Sequence, residues 1–147
     1  MATPLELSLF AEELAEVSTL PEASRWQLER DDTVPLGLFA LMHPRSEPTH
    51  AYRARLRWND YFGPPSLKFV NLQTGLDTDP LAWPQCFGFR PSSLDACLPR
   101  TAEGHGLHPE WKNSPAHCFP TVEAPMQYAL LRVQSSLDTT YQGRGQR

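Results

Sequence analysis

The sequence predicts an α+β domain in which helices pack on one side of an antiparallel sheet. Three observations carry that expectation. An amphipathic helical pattern stands near each end of the chain. Between them lie four strand-like runs joined by short turns, the order expected of a meander. A stretch of more than forty residues, Gly75 to Pro120, then loses all period before the final helix begins.

The first helix starts at Thr3, a capping residue, with Pro4 at the first helical position and Glu6 completing a capping box. Leu7, Phe10, Leu14 and Val17 fall on one face, with Glu6, Glu12, Glu13 and Glu16 mostly off it, and Pro21 is the expected stop. "RWQLER" (25–30) alternates, with Trp26 and Leu28 on one face. "LGLFALMHP" (36–44) is an apolar run expected of a well-buried strand. "AYRARLRW" (51–58) places Tyr52, Ala54, Leu56 and Trp58 opposite Arg53, Arg55 and Arg57. "SLKFVNL" (66–72) is the fourth strand. In the last helix Met126, Leu130, Val133 and Leu137 form the apolar stripe, Pro125 belongs to the first turn, and Gly143 is a candidate stop. "GRGQR" reads as a frayed tail.

With 147 residues the chain is sized for a single domain, 1–147, with a real core. A net charge of -4 and no basic stripe argue against nucleic acid as the main partner. No apolar run approaches a membrane span, and the acidic amphipathic start is unlike a secretory leader. Three cysteines, an odd number, read as reduced thiols, so the cytoplasm is the expected compartment. Fifteen prolines, most of them between Pro64 and Pro125, mark that half as loop-rich with stiff turns. A long irregular segment inside a compact domain is usually functional.

That segment contains "DACLPRTAEGHGLHPEW" (95–111), where Cys97 is followed by His105, His108 and Trp111. Two readings of Cys97 stand side by side: a small buried hydrophobe or a nucleophile. Cys86 and Cys118 are expected to pack inside. Trp83, Phe89 and Trp111 are expected to anchor the loop. Cys86, Cys97, His105, His108, His117 and Cys118 together suggest zinc, but their spacings match no paired-ligand pattern. Neither a metal nor a cofactor is therefore expected.

The order of these elements, with "FGPPSLKFVNLQTG" (62–75) at the fourth strand and a cysteine some thirty residues later, resembles the ubiquitin-conjugating-enzyme fold. Pro64-Pro65 stands for the paired prolines that lead into the fourth strand of that family. Cys97-Leu98 stands for its active cysteine and leucine, and Trp111 for its later tryptophan-proline region. "AWP" (82–84) and "CLPRTAEGHGLHPEW" are similar to the divergent bacterial members encoded beside ubiquitin-like proteins and activating enzymes in antiphage operons, the Bil-type group.

The resemblance implies a thioester carrier. Cys97 would accept the C-terminal acyl group of a ubiquitin-like protein from an activating enzyme and pass it to an amine on a protein target. The family's histidine-proline-asparagine element is missing: "GFRPSSLDA" (88–96) holds no asparagine to stabilise the oxyanion. His105 and His108 are candidates to take the amine proton or donate to that oxygen. Asp95 is a candidate to orient the amine, unless it shares a face with Cys97 by alternation alone. The alternative function is an inactive scaffold of the same fold that holds partners without a thioester. The family's first helix tends to be basic, whereas Glu12, Glu13 and Glu16 suggest either docking to a basic surface of the activating enzyme or docking through another part of the chain.

Overall fold

A computed structural model describes residues 2–146. Helix α1 (Pro4–Val17) opens with the expected reciprocal capping box: Thr3 accepts from the Glu6 amide and Glu6 from the Thr3 amide, both at 3.1 Å. The helix closes at Ser18, whose hydroxyl donates to the Leu14 carbonyl, so Pro21 is not the stop.

The first expected strand is mostly something else. Ala23–Trp26 forms a short helix, α2, and Gln27 takes a left-handed φ of 45° before strand β1, only Glu29–Arg30. Trp26 is buried from this helix, with its indole N–H donating to Gln134 at 2.9 Å. The apparent alternation of Trp26 and Leu28 thus reflects a buried turn rather than an extended chain.

Strands β2 (Gly37–Met42), β3 (Tyr52–Arg57) and β4 (Ser66–Val70) complete a sheet in the order β1-β2-β3-β4, antiparallel throughout. The register pairs Ala40 with Ala54 and Leu56 with Leu67. One face carries Leu38, Ala40, Met42, Tyr52, Ala54, Leu56, Leu67 and Phe69 into a core shared with the helices. On the other face every β3 arginine meets a carboxylate: Arg53 with Glu29 at 2.7 Å, Arg55 with Asp77 at 2.9 Å and Arg57 with Asp31 at 2.8 Å.

The C-terminal helix, Pro125–Thr139, buries Met126, Ala129, Leu130, Val133 and Leu137 against the sheet. Its N-terminus has no local side-chain cap. Glu13 of α1 supplies one from across the fold, accepting from the Met126 amide at 3.1 Å and the Gln127 amide at 2.9 Å, and from the Tyr61 hydroxyl. A carboxylate at a helix N-terminus satisfies orphan N–H groups and complements the dipole. Glu13 is therefore a buried structural residue and not part of an acidic docking face.

The segment between β4 and this helix is not free of regular structure. It holds three 3-10 turns, each opening with proline: Pro80–Ala82, Pro91–Ser93 and Pro109–Asn113. It also holds a small hairpin, β5 (Phe89–Arg90) with β6 (Asp95–Ala96), and helix α3 (Ala102–Leu107); Pro125–Thr139 is then α4. Trp83 and Phe89 anchor the segment on Phe69 of β4, with ring centroids 5.1 and 5.6 Å away.

Of the expected tail, Gly143 to Gly145 are docked rather than frayed, and Arg147 lies outside the described residues. Arg144 bridges to Pro84, the Gly145 amide donates to the Trp83 carbonyl at 2.7 Å, and the Gln85 amide donates to the Gly143 carbonyl at 2.8 Å. A Cβ on Gly145 would lie 2.3 Å from the Pro80 carbonyl oxygen, so only glycine fits that approach.

Candidate functional site

The β5–β6 hairpin presents Cys97. Phe89 pairs with Ala96 and Arg90 with Asp95, and the Cys97 amide then donates to the Gly88 carbonyl at 2.8 Å. Gly88 has φ of +80°, and a Cβ there would strike Leu98 Cδ2 at 2.3 Å. Ala96 is 0% exposed and Leu98 5%, so the residues on either side of Cys97 are locked into the core. Cys97 itself is half-buried, on the outward face by strand alternation.

Thr101 fastens the turn that follows. It is 2% exposed, and its hydroxyl oxygen lies 2.5 Å from the Ala96 carbonyl oxygen, to which it donates. It accepts from the Leu98 amide at 3.4 Å and, as the α3 N-cap, from the Gly104 amide at 3.1 Å. One side chain thus holds the backbone both before and after the cysteine.

Helix α3 presses on the same place. A Cβ at Gly104 would sit 2.2 Å from the Leu98 carbonyl oxygen and 2.6 Å from its nitrogen. Glu103 ties the helix to β4, accepting from the Ser66 hydroxyl at 2.6 Å and the Leu67 amide at 3.0 Å. The Ala102 amide donates to the Pro65 carbonyl at 2.9 Å, which joins the paired prolines to the cysteine segment.

The structure distributes the predicted helpers unevenly. Asp95 lies two residues from Cys97 on the hairpin, but both its oxygens are taken by Arg90: Nε and Nη2 each donate at 2.7 Å. His105 Nε2 lies 2.5 Å from the Pro99 carbonyl oxygen; a carbonyl only accepts, so this nitrogen carries the proton. His108 bonds Glu110 at 3.1 Å and stacks on Trp111 at 4.3 Å. His117 also lies nearly parallel to Trp111, 5.2 Å away. Trp111 therefore organises an imidazole cluster on the flank of α3. No hydrogen bond reaches the Cys97 thiol among the described residues.

The other two thiols differ. Cys86 is buried as expected, and burial pushes it up to about 11, far from a reactive thiolate. Cys118 is exposed, contrary to expectation. It sits on an apolar groove of about 470 Å³ with Pro64, His105, Pro109 and Phe119. It lies in an exposed turn, where its amide donates to the Ser114 carbonyl at 2.7 Å. Among the described residues no three His, Cys, Asp or Glu side chains converge to hold a metal, and no helix is long and apolar enough to cross a membrane.

Sequence reasoning missed Arg90, Thr101, Glu103 and Gly104. Thr101 followed by Ala-Glu is a helix-start signal that was there to be read. Arg90 and Asp95 flank a proline turn with opposite charges, a hairpin signal of the same kind. No family model, curated protein or solved structure matches the chain.

Proposed function

We propose that the chain adopts the ubiquitin-conjugating-enzyme-like fold and acts as a thioester carrier on Cys97, within a bacterial antiphage system in the cytoplasm. It takes a ubiquitin-like protein from an activating enzyme and gives it to an amine of a protein target. The observation that carries this is the contrast at one residue. The backbone around Cys97 is pinned by Gly88, Thr101 and buried Ala96 and Leu98, while Cys97 itself is only half-buried and its thiol is free of hydrogen bonds among the described residues.

Two steps follow from that arrangement. In the first, the Cys97 thiolate attacks the carbonyl carbon of the thioester on the activating enzyme. A new C–S bond forms, the old one breaks, and the departing thiolate takes up the proton that Cys97 released. In the second, an amine nitrogen attacks the same carbon. The carbonyl oxygen becomes an anion, the C–S bond breaks as the carbonyl re-forms, and the amine proton ends on the Cys97 thiolate or in solvent. A fixed backbone with an accessible sulfur lowers the orientational cost of both attacks.

The test is incubation of the chain with a neighbouring-gene activating enzyme, its ubiquitin-like protein and ATP. A reductant-labile adduct should form on Cys97 and vanish in Cys97→Ala. In the native protein a small alkylating reagent should modify Cys118 first, Cys97 next and Cys86 last. An unreactive Cys97 together with no adduct would replace the carrier role with that of a partner-holding scaffold.

A further inference from the structure

We propose that Arg90, oriented by Asp95, is the group that meets the oxygen anion when an amine attacks the Cys97 thioester. The assignment rests on the carrier role above and supplies what the absent asparagine leaves open.

The hairpin register carries the inference. Phe89 and Ala96 are paired and both buried, so their neighbours in each strand turn to the opposite, outer face. Arg90 and Asp95 are paired on that face, and Cys97, held opposite Gly88, follows two residues after Asp95. Arg90 and Cys97 are thus diagonal neighbours, roughly 7–8 Å apart at the backbone and within reach of a long side chain.

Asp95 fixes the aim of this cation. The two bonds at 2.7 Å form a bidentate fork, which holds the planar guanidinium in one orientation. A guanidinium has five N–H donors, and the fork occupies only two, so its remaining edge can still donate. It stays charged at any working pH. Both candidate histidines are engaged elsewhere: His105 with the Pro99 carbonyl and His108 with Glu110. Asp95 is then a positioning residue, acting through Arg90.

Thiolates are stronger nucleophiles than amines, so loading is the easier step and the loss of Arg90 falls mainly on discharge. The Arg90 side chain is 44% exposed. Its effect should therefore be about tenfold, below the 10²–10³ of a donor in a dry oxyanion site.

The experiment loads wild type, Arg90→Gln, Arg90→Lys and Asp95→Asn with the ubiquitin-like protein, removes the activating enzyme, and follows single-turnover discharge to free lysine. Loading should stay within about twofold of wild type in all three variants. Discharge should fall about tenfold in Arg90→Gln, less in Asp95→Asn, and recover partly in Arg90→Lys. The alkylation rate of Cys97 and the unfolding midpoint check that the hairpin survives. Discharge of loaded Arg90→Gln at the wild-type rate would overturn the assignment alone. Loading and discharge falling together with a changed alkylation rate would make the pair structural and overturn it too. A wild-type chain that never loads would overturn the carrier role and this inference with it.

Discussion

The sheet-and-helix body and the crossing from Asn71 to Ala124 are ordered by different means. The body is held by a repeating backbone ladder, β2 to β3 to β4, and by apolar residues at strand and helix spacing. The crossing has strands of only two residues and one helix of six. It is held instead by single side chains that reach the backbone: Thr101 on Ala96 and Leu98, Glu103 on Leu67, Lys68 on Leu94. A ladder spreads its stabilisation over many bonds, whereas a clip concentrates it in one residue. Changes in the body should therefore act globally and changes in the crossing locally.

The largest expected effect breaks the body at a buried clip of its own. Glu13→Ala removes the acceptor of two α4 amides and of the Tyr61 hydroxyl. With an unsatisfied buried donor costing about 1–3 kcal/mol, the total should be about 3–5 kcal/mol. Denaturant unfolding should show a lower midpoint for the whole domain, and a loss confined to α4 would contradict the comparison.

Gly104→Ala comes next, at about 1–3 kcal/mol, because its Cβ would meet the Leu98 backbone, which cannot rotate away. Thr101→Val should cost about 1–2 kcal/mol, with Thr101→Ser recovering most of it. For both, amide exchange should rise over residues 96–105 and leave β2 and β3 protected. Equal loss of protection in the sheet would show that the two regions are one cooperative unit.

A smaller effect is set by acid. The hydrogen bond from Arg55 holds the Asp77 carboxyl below its usual range. Burial alone would raise Asp31, but bonds from Thr33 and Arg57 outweigh it and hold that carboxyl low as well. A depressed folded-state value contributes stability that is complete above the unfolded carboxylate range and lost as pH falls through the folded one. Unfolding midpoints should drop below about pH 4, and more gently in Asp77→Asn. The smallest effect should be Arg53→Ala, under about 1 kcal/mol, since its partner Glu29 is largely exposed. A larger loss there would mean that stacking of Arg53 on Phe39, at 4.0 Å, counts for more than the ion pair.

The same contrast decides how much of the molecule is legible from residues alone. Spacing places β2, β3, β4, α1 and α4 to within a few residues, because each spans at least two periods of its pattern. The hairpin and α3 are shorter than the window in which a period can be recognised, though Thr101 and the prolines at 80, 91 and 109 mark where turns begin. Cys97 stands out by the company it keeps in sequence, but its partners do not. Arg90 becomes relevant only when the register pairs it with Asp95, and Glu13 only when folding brings α1 to α4. The tail was misread because its glycines look loose in a string and fit a tight approach in space.

The bond from Met126 to Glu13 spans 113 residues. During synthesis the N-terminal helix emerges with an acid meant for the interior and nothing to receive it. Tyr61 arrives later, and the two amides only after Met126 and Gln127 have been made. The body therefore closes only once the start of α4 has been synthesised. Nascent chains halted ahead of Met126 should stay open to proteases however long they wait.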